Sequence, residues 1–201
     1  MSTFSEYLSQ ARRVHTSGIA TNERSYYPAL ATLFDGIGAT LTPKVVAIHD
    51  VASRGAGHPD YVLQVDTTRD TRAAIEAKPA SWALDDLIAS EQVGLYLGHY
   101  GLCLVTNLRE FALVGRSRAG GATEIMRYSL TTTEAEFWNV SPAALMRRHE
   151  QGVSDFLVSV FTWDTPVTRP KELAEALARY AREALRRLEH QPADQLVELR
   201  K

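Results

Sequence analysis

The sequence predicts an α/β (α+β) protein, a central mixed sheet of four or more strands with helices on both faces. Three observations predict it. Apolar residues recur at helical spacing at both ends of the chain, as in Phe4, Tyr7, Leu8 and Ala11. Short runs rich in Val, Ile and Thr, bounded by turn residues, fill the middle. A helical stretch interrupts those runs, so the order reads helix, helix, strands, helix, hairpin, helices.

The first helix spans about Phe4 to Val14, and Thr16 to Thr21 is a loop. The second helix runs from about Asn22, a fitting N-cap, to Gly36, with Tyr26, Tyr27, Leu30, Leu33 and Phe34 as its apolar stripe. Pro28 falls early enough to be tolerated. Strands follow at Lys44 to His49, Tyr61 to Asp66 and Arg72 to Lys78, with a flexible turn at Ser53 to Gly57. Pro79-Ala80-Ser81 precedes a third helix, about Leu84 to Tyr100, which Gly101 stops. Leu102 to Thr106 and Phe111 to Val114 are strands around the turn Asn107 to Glu110, and Thr123 to Leu130 is one more strand. The remainder is helical: about Glu134 to Trp138, Pro142 to Phe161 and Pro170 to His190. The prolines at 166 and 170 mark a boundary, giving a core domain over 1–165 and a C-terminal helix over 166–201. That helix either packs on the core, pairs with a partner or leads into a further domain.

The chain has 201 residues, 45 % hydrophobic and 23 % charged, the profile of an ordinary globular domain. No apolar run reaches membrane-spanning length, and the first residues lack a secretory layout. The single cysteine, Cys103, sits in an apolar strand and reads as a small core residue. These features fit a reducing cytoplasm. A formal net charge of −2 argues against a strong free-standing nucleic-acid binder, because such affinity rests on phosphate neutralisation by Lys and Arg. The pairs Arg12-Arg13 and Arg186-Arg187 and the cluster Arg147-Arg148-His149 read as solvated helix faces. If DNA is the substrate, another domain or subunit supplies much of the grip.

The chemistry concentrates in two short motifs. Pro59-Asp60 opens one apolar run, and Glu76-Ala77-Lys78 closes the next. The period-2 geometry of a strand puts Glu76 and Lys78 on one face, about 7 Å apart along it. Pro59 biases His58 toward extended backbone, so Asp60 projects from the start of its strand. On neighbouring strands, Asp60 and Glu76 reach a common cation, with the Ala77 carbonyl as a third protein ligand. Oxygen donors without sulfur suit Mg²⁺, with Mn²⁺ as a substitute. Such a set aims a water at a phosphodiester, and Lys78 orients that water and counters transition-state charge. Gln92 and Tyr96, at i and i+4, share a helix face. Glu23, early in the second helix, offers another carboxylate.

Pro59-Asp60, Glu76-Ala77-Lys78 and Gln92-Val93-Gly94-Leu95-Tyr96 together resemble the PD-(D/E)xK nuclease superfamily with its QxxxY extension. The stretches Asn22 to Leu30, Gly57 to Asp60, Ile75 to Pro79 and Leu104 to Phe111 resemble the N-terminal, Mrr-like nuclease domain of single-polypeptide restriction-modification enzymes (type ISP and related type II). The resemblance implies a restriction-endonuclease-like sheet flanked by helices and Mg²⁺-dependent hydrolysis of double-stranded DNA. It makes Asp60 and Glu76 metal ligands, Lys78 the catalytic lysine, Glu23 a helix-borne acid and Gln92 the helix residue beside the site. Tyr96 takes a positioning or DNA-contacting role. The sequence carries no N-P-P-Y and no P-loop signature. Methyltransferase or helicase functions therefore lie on other sequence, in the same or an associated chain. Each site cuts one strand, so a double-strand break needs two copies.

Two rivals stand beside this reading. One is a non-cleaving DNA-binding or assembly module of the same fold. The other is a nuclease for RNA or single-stranded DNA. The ordinary alternative for Glu76 and Lys78 is a salt bridge on a surface strand. Asp85 and Asp86 read as acids favoured at a helix start. His58 reads as a loop histidine facing DNA or solvent, and His49 as structural. Trp82, Trp138 and Trp163 read as core or interface residues.

Overall fold

The computed structural model describes residues 2–18, 23–49, 51, 57–117, 120–163 and 170–189. The chain divides into two compact units, Met1–Phe161 and Thr162–Lys201. In the first, α1 (Thr3–Thr16) leads through a 3-10 turn (Glu23–Tyr26) to α2 (Tyr27–Gly38). Strands β1 (Val45–His49), β2 (Tyr61–Val65) and β3 (Thr71–Ala77) follow, then α3 (Leu84–Ile88), α4 (Glu91–Tyr100), β4 (Leu102–Thr106), β5 (Glu110–Arg116) and β6 (Ala122–Ser129). Helices α5 (Glu134–Asn139) and α6 (Pro142–Phe161) complete the unit. In the second unit the described residues are a turn at Thr162 and Trp163 and helix α7 (Pro170–Glu189).

The six strands lie in sequence order, β1 to β6. Every neighbouring pair is antiparallel except β3 and β4, which run parallel. A parallel step needs a crossover, and α3 with α4 supplies it. Strand periodicity then sorts the side chains. Ala74, Cys103, Val105, Ala112 and Val114 face Leu84, Leu87, Val93, Tyr96 and Leu97 of α3 and α4. On the opposite face Tyr61 packs its ring against Phe34 of α2, and Phe111 packs against Tyr7 of α1. Phe161 of α6 joins that layer through Phe34. Glu76 shares the parity of Ala74, so it enters the α4 side of the sheet, where it is only 1 % exposed.

Two helices differ from the sequence reading. The second begins at Tyr27 with Pro28 in its first turn, and its cap, Tyr26, makes no side-chain capping bond. Pro28 lacks the N–H that an interior position must donate, so it belongs at a helix start. Asn22, the expected cap, lies outside the described residues, as do most of the turn at 53–57 and the segment 164–169. The third helix is two. Helix α3 stops at Ile88 with Ala89 as its cap, and Ser90 accepts a hydrogen bond from the Val93 N–H at 3.3 Å, capping α4. The expected stop at Gly101 is present, with φ +78°. Strand and helix limits elsewhere fall within two residues of the expected ones, and β4 and α6 coincide with their expected spans.

The turn between β4 and β5 fastens the end of β3. Thr106 accepts the Lys78 N–H through its carbonyl at 2.8 Å. The Asn107 amide donates to the Trp82 carbonyl, and buried Arg109 donates to the carbonyls of Ala80, Thr131 and Thr132. Leu108, at φ +74°, offers its carbonyl to the Tyr7 hydroxyl. Lys78 and the segment after it are thus held by the fold rather than by a loop.

Candidate active site at the ends of β2 and β3

Tyr61 pairs with Ile75 in the β2/β3 ladder. Continuing that antiparallel register by one residue sets Asp60 opposite Glu76, a spacing at which side chains on facing strands interact. Three contacts fix this end of the sheet. The Ala77 N–H donates to Asp60 Oδ2 at 2.8 Å. The Tyr27 hydroxyl, from the first turn of α2, donates to Asp60 Oδ1. Lys78 Nζ donates to Glu76 Oε1 at 2.5 Å. The Glu76–Lys78 ion pair therefore exists but is not a surface bridge: the Glu76 side chain is 2 % and that of Lys78 18 % exposed.

Helix α4 closes the site from its other side. Gln92 Nε2 donates to the Tyr96 hydroxyl at 2.7 Å, and that hydroxyl lies near enough to Glu76 to favour its charged form. The i, i+4 spacing read from the sequence thus becomes a relay from exposed Gln92 through buried Tyr96 toward Glu76. Gly57 leads into the Pro59-Asp60 segment. Its φ of +79° suits glycine, and a Cβ there would lie 3.7 Å from the Tyr96 ring.

Electrostatics mark the pair as costly. Burial first, then the neighbouring Asp60 charge, holds the Glu76 carboxyl above the usual carboxylate range, against the opposing pull of Lys78. Burial likewise raises Asp60, against its bonds to Tyr27 and the Ala77 N–H. Burial, and then the bond to Asp60, pushes the Tyr27 hydroxyl far up, so Tyr27 stays a proton donor. Glu23 acts on Asp60 and Tyr27 by charge alone, placing it near the site but outside the bonded set.

Do these residues fit a cation? Glu76 Oε2 is buried and has no hydrogen-bond partner, a position a native fold rarely leaves empty. It lies on a carboxylate that Asp60 already repels. Each Asp60 oxygen holds one donor and keeps further lone pairs. The donors are all oxygen, the set that hard cations take. Among the described residues no three His, Cys, Asp or Glu side chains gather as a metal cluster. A cation here would be held by Asp60 and Glu76 with the Ala77 carbonyl and water. The residues fit.

The fold also settles several side readings. Asp85 pairs with Arg127. Cys103 is fully buried and its thiol is pushed up by burial, so it is no nucleophile. Arg12 is not a solvated residue: it donates to the carbonyls of Phe137 and Val140, tying α1 to the end of α5. Trp138 stacks on His15 at 3.9 Å. Trp82 departs from a core role. It is 46 % exposed, and Lys78 Nζ sits 5.9 Å from its ring centre. Tyr27 is the site residue that sequence reasoning missed, because its place in an apolar stripe hid a hydroxyl aimed at Asp60.

No family model and no curated protein matches the sequence. Solved structures do share its fold. One is DrdV in a DNA complex, at TM-score 0.54 and 19 % identity, covering 82 % of this chain and 14 % of that one. Another is the type IIG restriction endonuclease BpuSI, at TM-score 0.51 and 13 % identity, covering 76 % of this chain and 18 % of that one. The fold is thus restriction-endonuclease-like, and the chain spans less than a fifth of the length of either neighbour. At these identities the likeness is one of fold.

Proposed function

We propose that this chain is a metal-dependent DNA endonuclease domain of a restriction-modification system. One observation carries the reading: Asp60, Glu76 and Lys78 meet at one end of the sheet, and one oxygen of the Glu76 carboxylate is buried there with no hydrogen-bond partner. A purely structural site would pair that oxygen or replace the acid. The fold shared with a restriction endonuclease and with a DNA-bound protein supports the choice of substrate.

When bound, Mg²⁺ would neutralise phosphate charge and make a water acidic enough to attack. The protein's own groups do the positioning. Tyr27 and the Ala77 N–H fix both Asp60 oxygens. Gln92 and Tyr96 steady Glu76. Lys78, a compact cation on a flexible stem, can turn from Glu76 toward the attacking water or the phosphate and offset the charge that develops there. Hydrolysis needs no covalent intermediate. In this reading further domains supply target recognition, two copies supply the double-strand break, and the protein works in the cytoplasm. Among the described residues no helix is long and apolar enough to cross a membrane.

The test is cleavage of plasmid DNA with Mg²⁺ or Mn²⁺, beside Mn²⁺ binding by calorimetry. The wild type should cut, and Asp60→Ala and Lys78→Ala should each lose about 100-fold or more. Asp60→Ala should also lose Mn²⁺ binding, whereas Lys78→Ala should keep it. Undiminished cutting by either variant defeats the reading. Duplex binding without cutting or Mn²⁺ uptake would instead favour a silent binding module.

A further inference from the structure

The turn that follows Lys78 ends on an exposed ring, which the chemistry described so far does not use. We propose that Trp82 is a positioning residue for cleavage. Its ring is a second seat for the Lys78 ammonium, beside Glu76, from which the amine reaches the attacking water. The inference rests on the nuclease reading and deepens it, because it concerns how the lysine of that same site is aimed.

The first support is where the ring stands and how firmly it is presented. Among the described residues of Met1–Phe161, every other Phe, Tyr and Trp is buried or half-buried, whereas Trp82 is 46 % exposed. Leaving so large a ring in water forgoes apolar burial. The core contacts of this segment fall instead to Ala80 and Leu84, both 2 % exposed. The Trp82 N–H donates to the Pro79 carbonyl at 3.0 Å, closing a turn directly after Lys78. Buried Asn107 donates from its side-chain amide to the Trp82 carbonyl at 2.9 Å. That amide is itself set by two bonds with Glu110, one to its carboxylate and one from its N–H. Thr106, the residue before Asn107, accepts the Lys78 N–H at 2.8 Å. The end of β4 and the turn after it thus hold the backbones of both Lys78 and Trp82.

The second support is what the ring offers the amine. Lys78 Nζ lies over the Trp82 ring, 5.9 Å from its centre, within the roughly 6 Å at which a ring face attracts an ammonium. The other groups acting on this amine are carboxylates: Glu76, bonded at 2.5 Å, and Asp60, which it affects by charge. Both are the acids that would hold a cation, and charge given to a cation is charge withdrawn from the amine. The ring keeps its hold when theirs weakens. It draws the ammonium by its quadrupole, so the N–H donors stay available for water and a phosphate oxygen. It also confines a flexible four-carbon stem. A charge already in place when the transition state forms is what electrostatic stabilisation needs.

The test uses the full chain and duplex DNA with Mg²⁺ or Mn²⁺, with kcat and KM measured separately. Trp82→Leu should lower kcat about tenfold, the scale of one partly desolvated contact of this kind, and leave KM within about twofold. Trp82→Phe, which keeps a ring face, should recover most of the loss. In a Lys78→Ala background, Trp82→Leu should cost nothing further. A second readout needs neither DNA nor metal. The chain has four lysines, so the methylene beside the Lys78 amine can be assigned by NMR against Lys78→Ala. In the wild type the ring should shift that signal upfield, and in Trp82→Leu it should return to the position of the other lysines. A wild type that cuts, with Trp82→Leu cutting as fast, overturns the inference and leaves the nuclease reading standing. A loss confined to KM makes the ring a DNA contact and overturns it too. So does an equal loss in the Lys78→Ala background, or an unshifted Lys78 signal in the wild type. A wild type that cuts with neither cation overturns the nuclease reading, and the inference falls with it.

Discussion

Asp60 and Glu76 hold two negative charges side by side in a partly desolvated corner. Both carboxyls are raised, first by burial. An acid with a raised pKa binds its proton more tightly in the fold than in the unfolded chain. Its contribution to stability is therefore full below the unfolded value, near 4, and is lost as pH rises through the folded one. At neutral pH the charged pair opposes folding, as sites arranged for function commonly do. Glu76→Gln removes one charge, so it should melt higher than the wild type at pH 8. The gap should narrow as pH falls into the carboxylate range, because the wild type then protonates. Loss of the Lys78 contact acts the other way, but burial is the larger cause. Equal or lower melting of the variant at pH 8 would contradict this. Asp60, Glu76 and Lys78 were legible in the sequence because strand spacing fixes their direction. Tyr27 was not, since a tyrosine in an apolar stripe looks the same whether its hydroxyl meets water or a carboxylate.

At the scale of elements, the position of α2 governs that contact, and one close approach governs α2. Gly38, its last residue, lies so near β1 that an added Cβ would sit 1.9 Å from the Val45 carbonyl oxygen. That oxygen belongs to backbone in a sheet and cannot swing away. Gly38→Ala should therefore destabilise the fold by about 1–3 kcal/mol, the usual range for overpacking a tight contact. Denaturant unfolding would measure it as a lower midpoint with an unchanged slope. A midpoint equal to the wild type would show that α2 is not seated this closely. Element types were legible because the apolar period switches between two and 3.6. The split of α3 from α4 was not: Leu84, Leu87, Val93 and Leu97 keep the core face supplied on both sides of Ser90, so the period gives no sign of the break. Only the serine, capping Val93, marks it.

Across the whole molecule, the period of a strand tells which face a side chain takes but not which strand lies beside it. The sequential order with its one parallel step emerges only when the α3–α4 crossover is seen to return β4 beside β3. The two units differ in the same way. Among the described residues, every member of the buried core lies at or before Phe161, which is itself 1 % exposed. In α7, by contrast, Leu173, Leu177, Tyr180 and Leu185 are each exposed by half or more. Twenty residues of amphipathic helix gain little on their own, and Met1–Phe161 is a compact unit in itself. A chain ending at Phe161 should thus unfold in one cooperative transition, within about 0.5 kcal/mol of the full-length value for the same unit. Its circular dichroism should fall by the signal of one helix. A lost or much lowered transition would show instead that α7 shelters part of the sheet domain.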